Sequence, residues 1–94
     1  MEKAIALLEV QALVAAVAGL DAMLKAAEVR LVHIERRLGG RMVTIVVDGS
    51  IGDVQAAAEA GKAAAAKVGS VKLCEVIPRP HPEILKFIYT DTEV

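Results

Sequence analysis

Large aromatic side chains are nearly absent from this sequence, which has no Trp, one Phe and one Tyr among 94 residues. Proteins that bind single-stranded nucleic acid on a small sheet usually stack the bases on exposed aromatic rings. The net charge of −1 also provides no strongly basic surface that would attract nucleic acid or an anionic membrane. We therefore expect neither a nucleic-acid partner nor a membrane partner.

Cysteine and histidine are equally scarce, since Cys74, His33 and His81 are the only residues of these types. A single cysteine cannot form an internal disulfide, which fits a reducing cytosol. None of the three residues has a metal-ligand spacing, so we expect no metal site and no cofactor. His33 is interpreted as a hydrogen-bonded or surface strand histidine rather than a catalytic one, and Cys74 as a small buried hydrophobic residue rather than a nucleophile.

Long apolar runs are also missing, because a charged residue interrupts each one before it reaches transmembrane length. Residues 1–5 lack the features of a signal peptide, so we expect a soluble intracellular protein. Hydrophobic residues nevertheless make up 55% of the chain, and its mean hydropathy is +0.51. Such an excess suggests apolar surface that is buried between subunits.

The hydrophobic pattern predicts four strands and three helices. The strands are expected at 3–10, 29–37, 42–47 and 71–77, and the helices at 12–27, from an N-cap at Ser50 to about 68, and at 83–87. This order predicts an α+β, ferredoxin-like βαββαβ sandwich with one layer of helices on one sheet and a short C-terminal helix. We expect a single domain over 1–94, with a core at about 3–88 and a tail at 89–94.

The buried faces follow from the spacing of apolar residues. In the first helix we expect these residues to pack inward: Leu13, Val17, Leu20 and Leu24. In the second helix we expect this stripe: Val54, Ala58, Gly61, Ala65 and Val68. Val29, Leu31 and His33 are expected on one face of the second strand, and Ile84, Leu85 and Phe87 are expected to dock the terminal helix.

Two further segments carry charge at defined places. Leu38-Gly39-Gly40-Arg41 is interpreted as a hairpin turn, because it lacks the Lys-Ser/Thr ending and the helix start of a phosphate-binding loop. All three prolines fall in Pro78-Arg79-Pro80-His81-Pro82, which should therefore be an extended and rigid segment. Taken alone, Lys25 could be only the surface partner of Asp21, and Arg79 only a solvated charge.

Taken together, four motifs resemble the single-domain, hexamer-forming shell proteins of bacterial microcompartments. These motifs are LDAMLK at 20–25, VTIVV at 43–47, AAAEAG at 56–61 and VIPRPH at 76–81, and the likeness extends over about 4–86. The resemblance implies a homohexamer in a cytoplasmic shell, with neighbouring hexamers, sister shell proteins and enzymes carrying targeting peptides as partners. It implies no catalytic residue.

The resemblance also implies two groups of functional residues. Those at the edge between hexamers are Lys25, Glu28, Arg79 and His81, and those lining a central six-fold pore are Arg37, Leu38, Gly39, Gly40 and Arg41. The pore turn is one residue longer than the common family pattern, so either Arg37 or Arg41 points into the pore. A positive pore would favour anionic or strongly polar small molecules.

Two other classes of protein share this order of elements. One is a small-molecule-binding regulatory domain, which more often forms dimers, trimers or tetramers. The other is an acylphosphatase-like hydrolase, which is the weaker interpretation because the chain has no asparagine and no loop that would place an arginine beside a helix N-terminus.

Overall fold

The computed structural model of this chain describes residues 3–90. Its elements are β1 (Ala4–Gln11), α1 (Leu13–Ala26), β2 (Arg30–Glu35), β3 (Met42–Gly49), α2 (Ile51–Ala66), β4 (Ser70–Ile77) and α3 (Pro82–Thr90). Residues 1–2 of the predicted domain and residues 91–94 of the predicted tail lie outside this description. Because α3 continues to Thr90, the helix includes Tyr89, which the sequence pattern had assigned to the tail.

The four strands form one antiparallel sheet in the order β2-β3-β1-β4. β1 occupies a central position, where Ala4, Ala6, Leu8 and Val10 are buried on one face of the sheet and Ile5 is buried on the other. The ferredoxin-like prediction is therefore confirmed. The sheet also determines where functional groups can lie, because each strand end is fixed by its register with the neighbouring strand.

The helices α1 and α2 pack against one face of the sheet through small side chains. The buried residues of α1 are Ala15, Ala16, Gly19 and Met23, whereas Leu13, Val17 and Leu24 are exposed. The prediction was therefore wrong for these three residues, whereas Leu20, the fourth predicted residue, is partly buried against the core. A Cβ built on Gly19 would lie 3.2 Å from the carbonyl oxygen of Gly61 on α2, so this close approach favours the small face of α1.

The second helix follows its prediction more closely. Ser50 caps α2, since its Oγ accepts a hydrogen bond from the Asp53 backbone N–H at 3.2 Å. Four predicted stripe residues, Val54, Ala58, Gly61 and Ala65, are buried. Val68 is exposed instead, because α2 ends at Ala66 and the chain turns there through N–H bonds to the carbonyl groups of the last turn.

The terminal helix α3 covers the opposite face of the sheet, so the predicted single layer of helices was wrong. Ile88 packs there with Ile5 and Val46, and Tyr89 lies beside them. Of the residues expected to dock this helix, Phe87 is 73% exposed, Ile84 is 42% exposed and Leu85 is half-buried. Ile88, one helical turn after Ile84, is buried against the sheet instead.

A β-bulge in β2 changes which residues face α3. The register shifts between Leu31 and His33, so Leu31 lies opposite Val47 and His33 lies opposite Val46. Val46 and Val47 point to opposite faces of the sheet. His33 therefore lies on the α3 face, away from Leu31, and the predicted shared face was wrong because the extra residue at the bulge inverts the alternation.

Candidate functional site

The two groups of predicted site residues lie at opposite ends of the sheet. At one end Gln11 lies opposite Met42, which directly follows the turn at 38–41. At the other end Ala4 lies opposite Gly49, and a Cβ on Gly49 would lie 2.9 Å from the carbonyl oxygen of Glu28. The eight-residue strand β1 separates these ends by about 25 Å. Below, they are called the turn end and the proline end.

The turn at 38–41 has a well-defined backbone conformation and is exposed to solvent. Gly39, Gly40 and Arg41 have φ values of 82°, 59° and 62°, which glycine adopts freely and arginine does not. The Met42 N–H donates to the Gly39 carbonyl at 3.0 Å, and the Gln11 side chain donates to the Gly40 carbonyl. These bonds anchor the turn to β1 and β3 while its side chains remain exposed.

The arginines of this end have different surroundings. The Glu35 carboxylate accepts hydrogen bonds from the Arg37 backbone N–H at 3.0 Å and from Arg37 Nε at 3.5 Å. The Arg37 N–H, followed by the bond to His33, lowers the pKa of Glu35. Arg36 and Arg41 instead flank a shallow groove beside Leu13, with no carboxylate partner among residues 3–90. The charge of Arg41 is therefore less compensated than that of Arg37.

At the proline end, Lys25 lies in the last turn of α1. Its Nζ forms an ion pair with Asp21 Oδ2 at 2.9 Å, and both side chains are exposed. An i,i+4 pair of this kind stabilises a helix by only about 0.3–0.5 kcal/mol. Lys25 can exchange this partner for another at little cost. Glu28, two residues after the end of α1, is also exposed.

The proline segment joins β4 to α3 at the same end, because Ile77 lies opposite Ile5 near the start of β1. Arg79 is exposed. The carbonyl of His81 accepts N–H bonds from Ile84 at 2.8 Å and Leu85 at 3.2 Å, and its Nδ1 accepts one from Glu83 at 3.0 Å. His81 therefore caps α3, a role that the sequence analysis did not identify.

A buried carboxylate at the proline end was also missed. Asp48 is 2% exposed, accepts hydrogen bonds from Arg30 Nη2 at 2.9 Å and from the Tyr89 hydroxyl, and lies 3.9 Å from Lys3 Nζ. Burial opposes its ionisation, but the bonds from Arg30 and Tyr89 outweigh burial and lower its pKa. One feature of the sequence could have indicated this carboxylate, because Asp48 is an acidic residue near the end of an otherwise apolar strand, directly before Gly49.

The remaining reactive side chains form no catalytic arrangement within residues 3–90. His33 Nε2 lies 3.4 Å from Glu35 Oε1, and its buried Nδ1 has no partner among the described residues. Both residues border an apolar cavity of about 320 Å³ between the sheet and α3. Burial raises the pKa of the Cys74 thiol, which disfavours the reactive thiolate.

The described part of the chain holds neither a metal-binding cluster nor a helix suited to span a membrane. Residues 3–90 contain no group of three or more His, Cys, Asp or Glu side chains placed to hold a metal ion. Over the same range, none of the helices has the length and apolar character that crossing a bilayer requires.

Comparisons with known proteins agree on one family. The model of the BMC domain matches residues 4–80. The bacterial microcompartment shell protein PduA of Citrobacter freundii is 45% identical over 87 residues, covering 93% of this chain and 92% of that protein. The microcompartment shell protein EutM of Escherichia coli K12 is 40% identical over 82 residues, with 87% and 84% covered.

Two further comparisons extend this result. The carboxysome shell protein CsoS1A of Hydrogenovibrio crunogenus is 45% identical over 82 residues, covering 86% of this chain and 84% of that protein. A crystal structure of a microcompartment protein from Desulfitobacterium hafniense superposes with a TM-score of 0.83 at 30% identity. That match covers 100% of this chain but only 51% of the solved chain, so this chain corresponds to about half of it.

Proposed function

The chain belongs to the BMC-domain family and is a shell protein of a bacterial microcompartment, and we propose that it builds the shell as cyclic homohexamers packed into a flat layer. Its role is then structural rather than enzymatic. Sister shell proteins and enzymes that carry targeting peptides are the further partners we propose, in the bacterial cytoplasm. The observation that carries this proposal is the placement of the turn and of the edge residues at opposite ends of one sheet.

Exposed apolar side chains support the assembly into rings. On α1, Leu13 is 51% exposed and Val17 is 60% exposed, and Leu73 on the edge strand β4 is exposed as well. Single exposed apolar residues are ordinary, but a helix whose larger apolar side chains face outward favours a subunit interface. Contacts between neighbouring copies would remove this surface from water.

The turn end would then face the centre of the ring, and the proline end would face the next ring. Around a six-fold axis the turn at 38–41 recurs six times. Glu35 partly compensates the positive charge of Arg37, whereas the positive charge of Arg41 is not compensated by Glu35. We therefore propose a positive pore for anionic or strongly polar solutes. Six converging guanidinium groups repel one another, so bound anions would stabilise their positions.

The edge contact is proposed to use Lys25, Glu28, Arg79 and His81. Lys25 has only an exposed, weak ion pair to give up. Arg79 is held between prolines, which limits the conformational entropy that it loses on contact. A guanidinium group also suits this contact because its planar donors can bind several carbonyl oxygens of a neighbouring copy.

A pair of lysine variants tests the assembly. Lys25→Ala removes a lysine at the proline end, and Lys67→Ala removes an equally exposed lysine near the turn end, where Gly69 closely approaches Gln11. Native mass spectrometry should show hexamers for both variants. Electron microscopy should show sheets for Lys67→Ala and few or none for Lys25→Ala.

Other outcomes would contradict specific parts of this proposal. Unchanged sheets of Lys25→Ala would refute its edge role, and dimers or tetramers of the unmodified protein would favour a regulatory domain. For the pore, a crystal soaked with sulfate should show the anion at the turn. An empty pore whose arginines all point to the outer rim would refute the proposed selectivity.

A further inference from the structure

A cationic cleft lies at the proline end, between the start of β1, the start of β2 and α3. Its walls include Lys3, Arg30, Arg79 and Tyr89, and its volume is about 670 Å³. We propose that this cleft binds a small organic phosphate. The cleft shares Arg79 and His81 with the proposed edge contact but lies apart from the turn proposed for the pore, and it would bind its ligand where that edge is unoccupied.

The charges in the cleft match a phosphate dianion. Among residues 3–90, three cationic side chains and no carboxylate line the cleft, although the whole chain has a net charge of −1. Asp48 lies beneath the cleft, where it is 2% exposed, and it compensates one of the three positive charges. Two positive charges remain, and a phosphate monoester carries about −1.5 to −2 at neutral pH.

The donors of the cleft are positioned before any ligand arrives. Asp48 Oδ2 holds Arg30 Nη2 at 2.9 Å, yet the Arg30 side chain remains 62% exposed, so part of it is accessible to a ligand. Lys3 lies 3.9 Å from the same carboxylate and is 50% exposed. A guanidinium group fixed in this way can form paired hydrogen bonds with phosphate oxygens.

The proline segment contributes rigidity and an apolar wall. Arg79 lies between Pro78 and Pro80, whose fixed φ angles reduce the backbone entropy lost when this segment is ordered around a ligand. Pro80 and Leu85 line the cleft beside the cations. Because the cleft is much larger than a phosphate group and partly apolar, it should bind the carbon portion of an organic phosphate as well.

Calorimetry with defined probes tests this site in hexamers that have not formed sheets, as checked by light scattering. The background is Arg36→Gln/Arg37→Gln/Arg41→Gln, which removes the three arginines of the turn end. Glycerol 3-phosphate should bind more tightly than inorganic phosphate, and glycerol should not bind measurably. The affinity for glycerol 3-phosphate should also fall as sodium chloride is raised.

Substitutions then locate the binding. In that background, Lys3→Gln and Arg79→Gln should each weaken glycerol 3-phosphate binding about fivefold. Lys67→Gln, which changes the net charge equally near the turn end, should leave it unchanged. Arg30 is not substituted, because its removal would leave the buried Asp48 without its closest cationic partner.

Three results would overturn the proposal: no heat of binding with either phosphate, equal weakening in Lys67→Gln and the two cleft variants, or equal affinity for the two phosphates. Native mass spectrometry and microscopy on the same samples report hexamers and sheets separately. A failure of the proposed assembly would therefore be distinguished from a failure of phosphate binding.

Discussion

Replacing Gly61 by Ala should destabilise the protein, although alanine is the better helix former. Gly61 lies inside α2 at its contact with α1 and is buried. A Cβ at this position would lie 2.5 Å from Met23 Cγ, 3.0 Å from Met23 Sδ and 3.3 Å from the Gly19 carbonyl oxygen. Because Met23 is itself fully buried, it cannot move its side chain into solvent to make room.

The two opposing effects can be compared in size. Alanine in a helix interior is favoured over glycine by about 0.8–1 kcal/mol. Forcing an additional methyl group into a closely packed contact costs about 1–3 kcal/mol. Contacts of 2.5 and 3.0 Å to a side chain without free space belong in the upper part of that range. We therefore expect a net loss of about 1 kcal/mol in the free energy of unfolding.

Gly52 provides a matched control in the same helix. A Cβ on Gly52 would meet no atom within 4 Å, so Gly52→Ala should stabilise the protein by about 0.5 kcal/mol. Urea unfolding of both variants at one protein concentration measures the difference, and a fixed concentration is needed because assembly contributes to apparent stability. The two substitutions should change stability in opposite directions.

A double-mutant cycle tests the cause. In a Met23→Ala background the methyl group of Gly61→Ala would have space, so the same substitution should become stabilising. The reasoning would be refuted if Gly61→Ala were as stable as Gly52→Ala. It would also be refuted if the Met23→Ala background left the effect of Gly61→Ala unchanged.

Three further predictions concern the tyrosine, the outer face of α1 and the turn. Burial, together with the hydrogen bond to Asp48, raises the pKa of Tyr89 from 10.0 to about 12. The protonated hydroxyl therefore contributes fully to the free energy of unfolding below pH 10, and this contribution is lost as the pH rises to about 12. Tyr89 is the only tyrosine, and ultraviolet titration should place its midpoint near 12 when folded; a midpoint near 10 would contradict this. Val17→Asp should abolish hexamers in native mass spectrometry while circular dichroism stays unchanged, and persistent hexamers would exclude that face from the interface. Arg41→Val should be less stable to urea than Arg41→Gly by about 1–2 kcal/mol, because position 41 has a positive φ; equal stability would show that this φ imposes no strain.

Local chemistry explains why the elements could be predicted from the sequence. Ser50 caps α2 as expected, because its side chain and Asp53 satisfy backbone and side-chain hydrogen bonds over three residues. The paired glycines form the turn because they accept positive φ. Such features depend on neighbours in the chain, so the sequence contains the information directly.

The errors arise where distant residues decide the outcome. On α1 the pattern of large apolar residues predicted the wrong buried face, because the close approach of Gly61 on α2 selects small side chains. At β2 one bulged residue reversed the face of His33. Neither effect follows from periodicity within one element.

The residues of the candidate site also divide into those that depend on neighbours in the chain and those that depend on distant residues. The prolines predicted the rigid presentation of Arg79 from local stereochemistry alone. The carboxylate of Asp48 joins Arg30, 18 residues earlier, to Tyr89, 41 residues later, and only the fold brings them together. His81 caps α3 through its own ring, a use of histidine that residue type does not indicate, and its proposed place at the edge stays a prediction.

The positions of the exposed charged and apolar residues connect the hydrophobic excess of the chain with the proposed assembly. Charged site residues lie at the two ends of the strands, whereas exposed apolar residues lie on the flanks: Leu31 on one edge strand, Leu73 on the other, and Val17 on α1. In a ring whose strands run radially, the flanks meet neighbouring copies and the charged ends meet solute or the next ring. The hydrophobic excess of 55% would then reflect lateral contacts that the isolated chain leaves exposed.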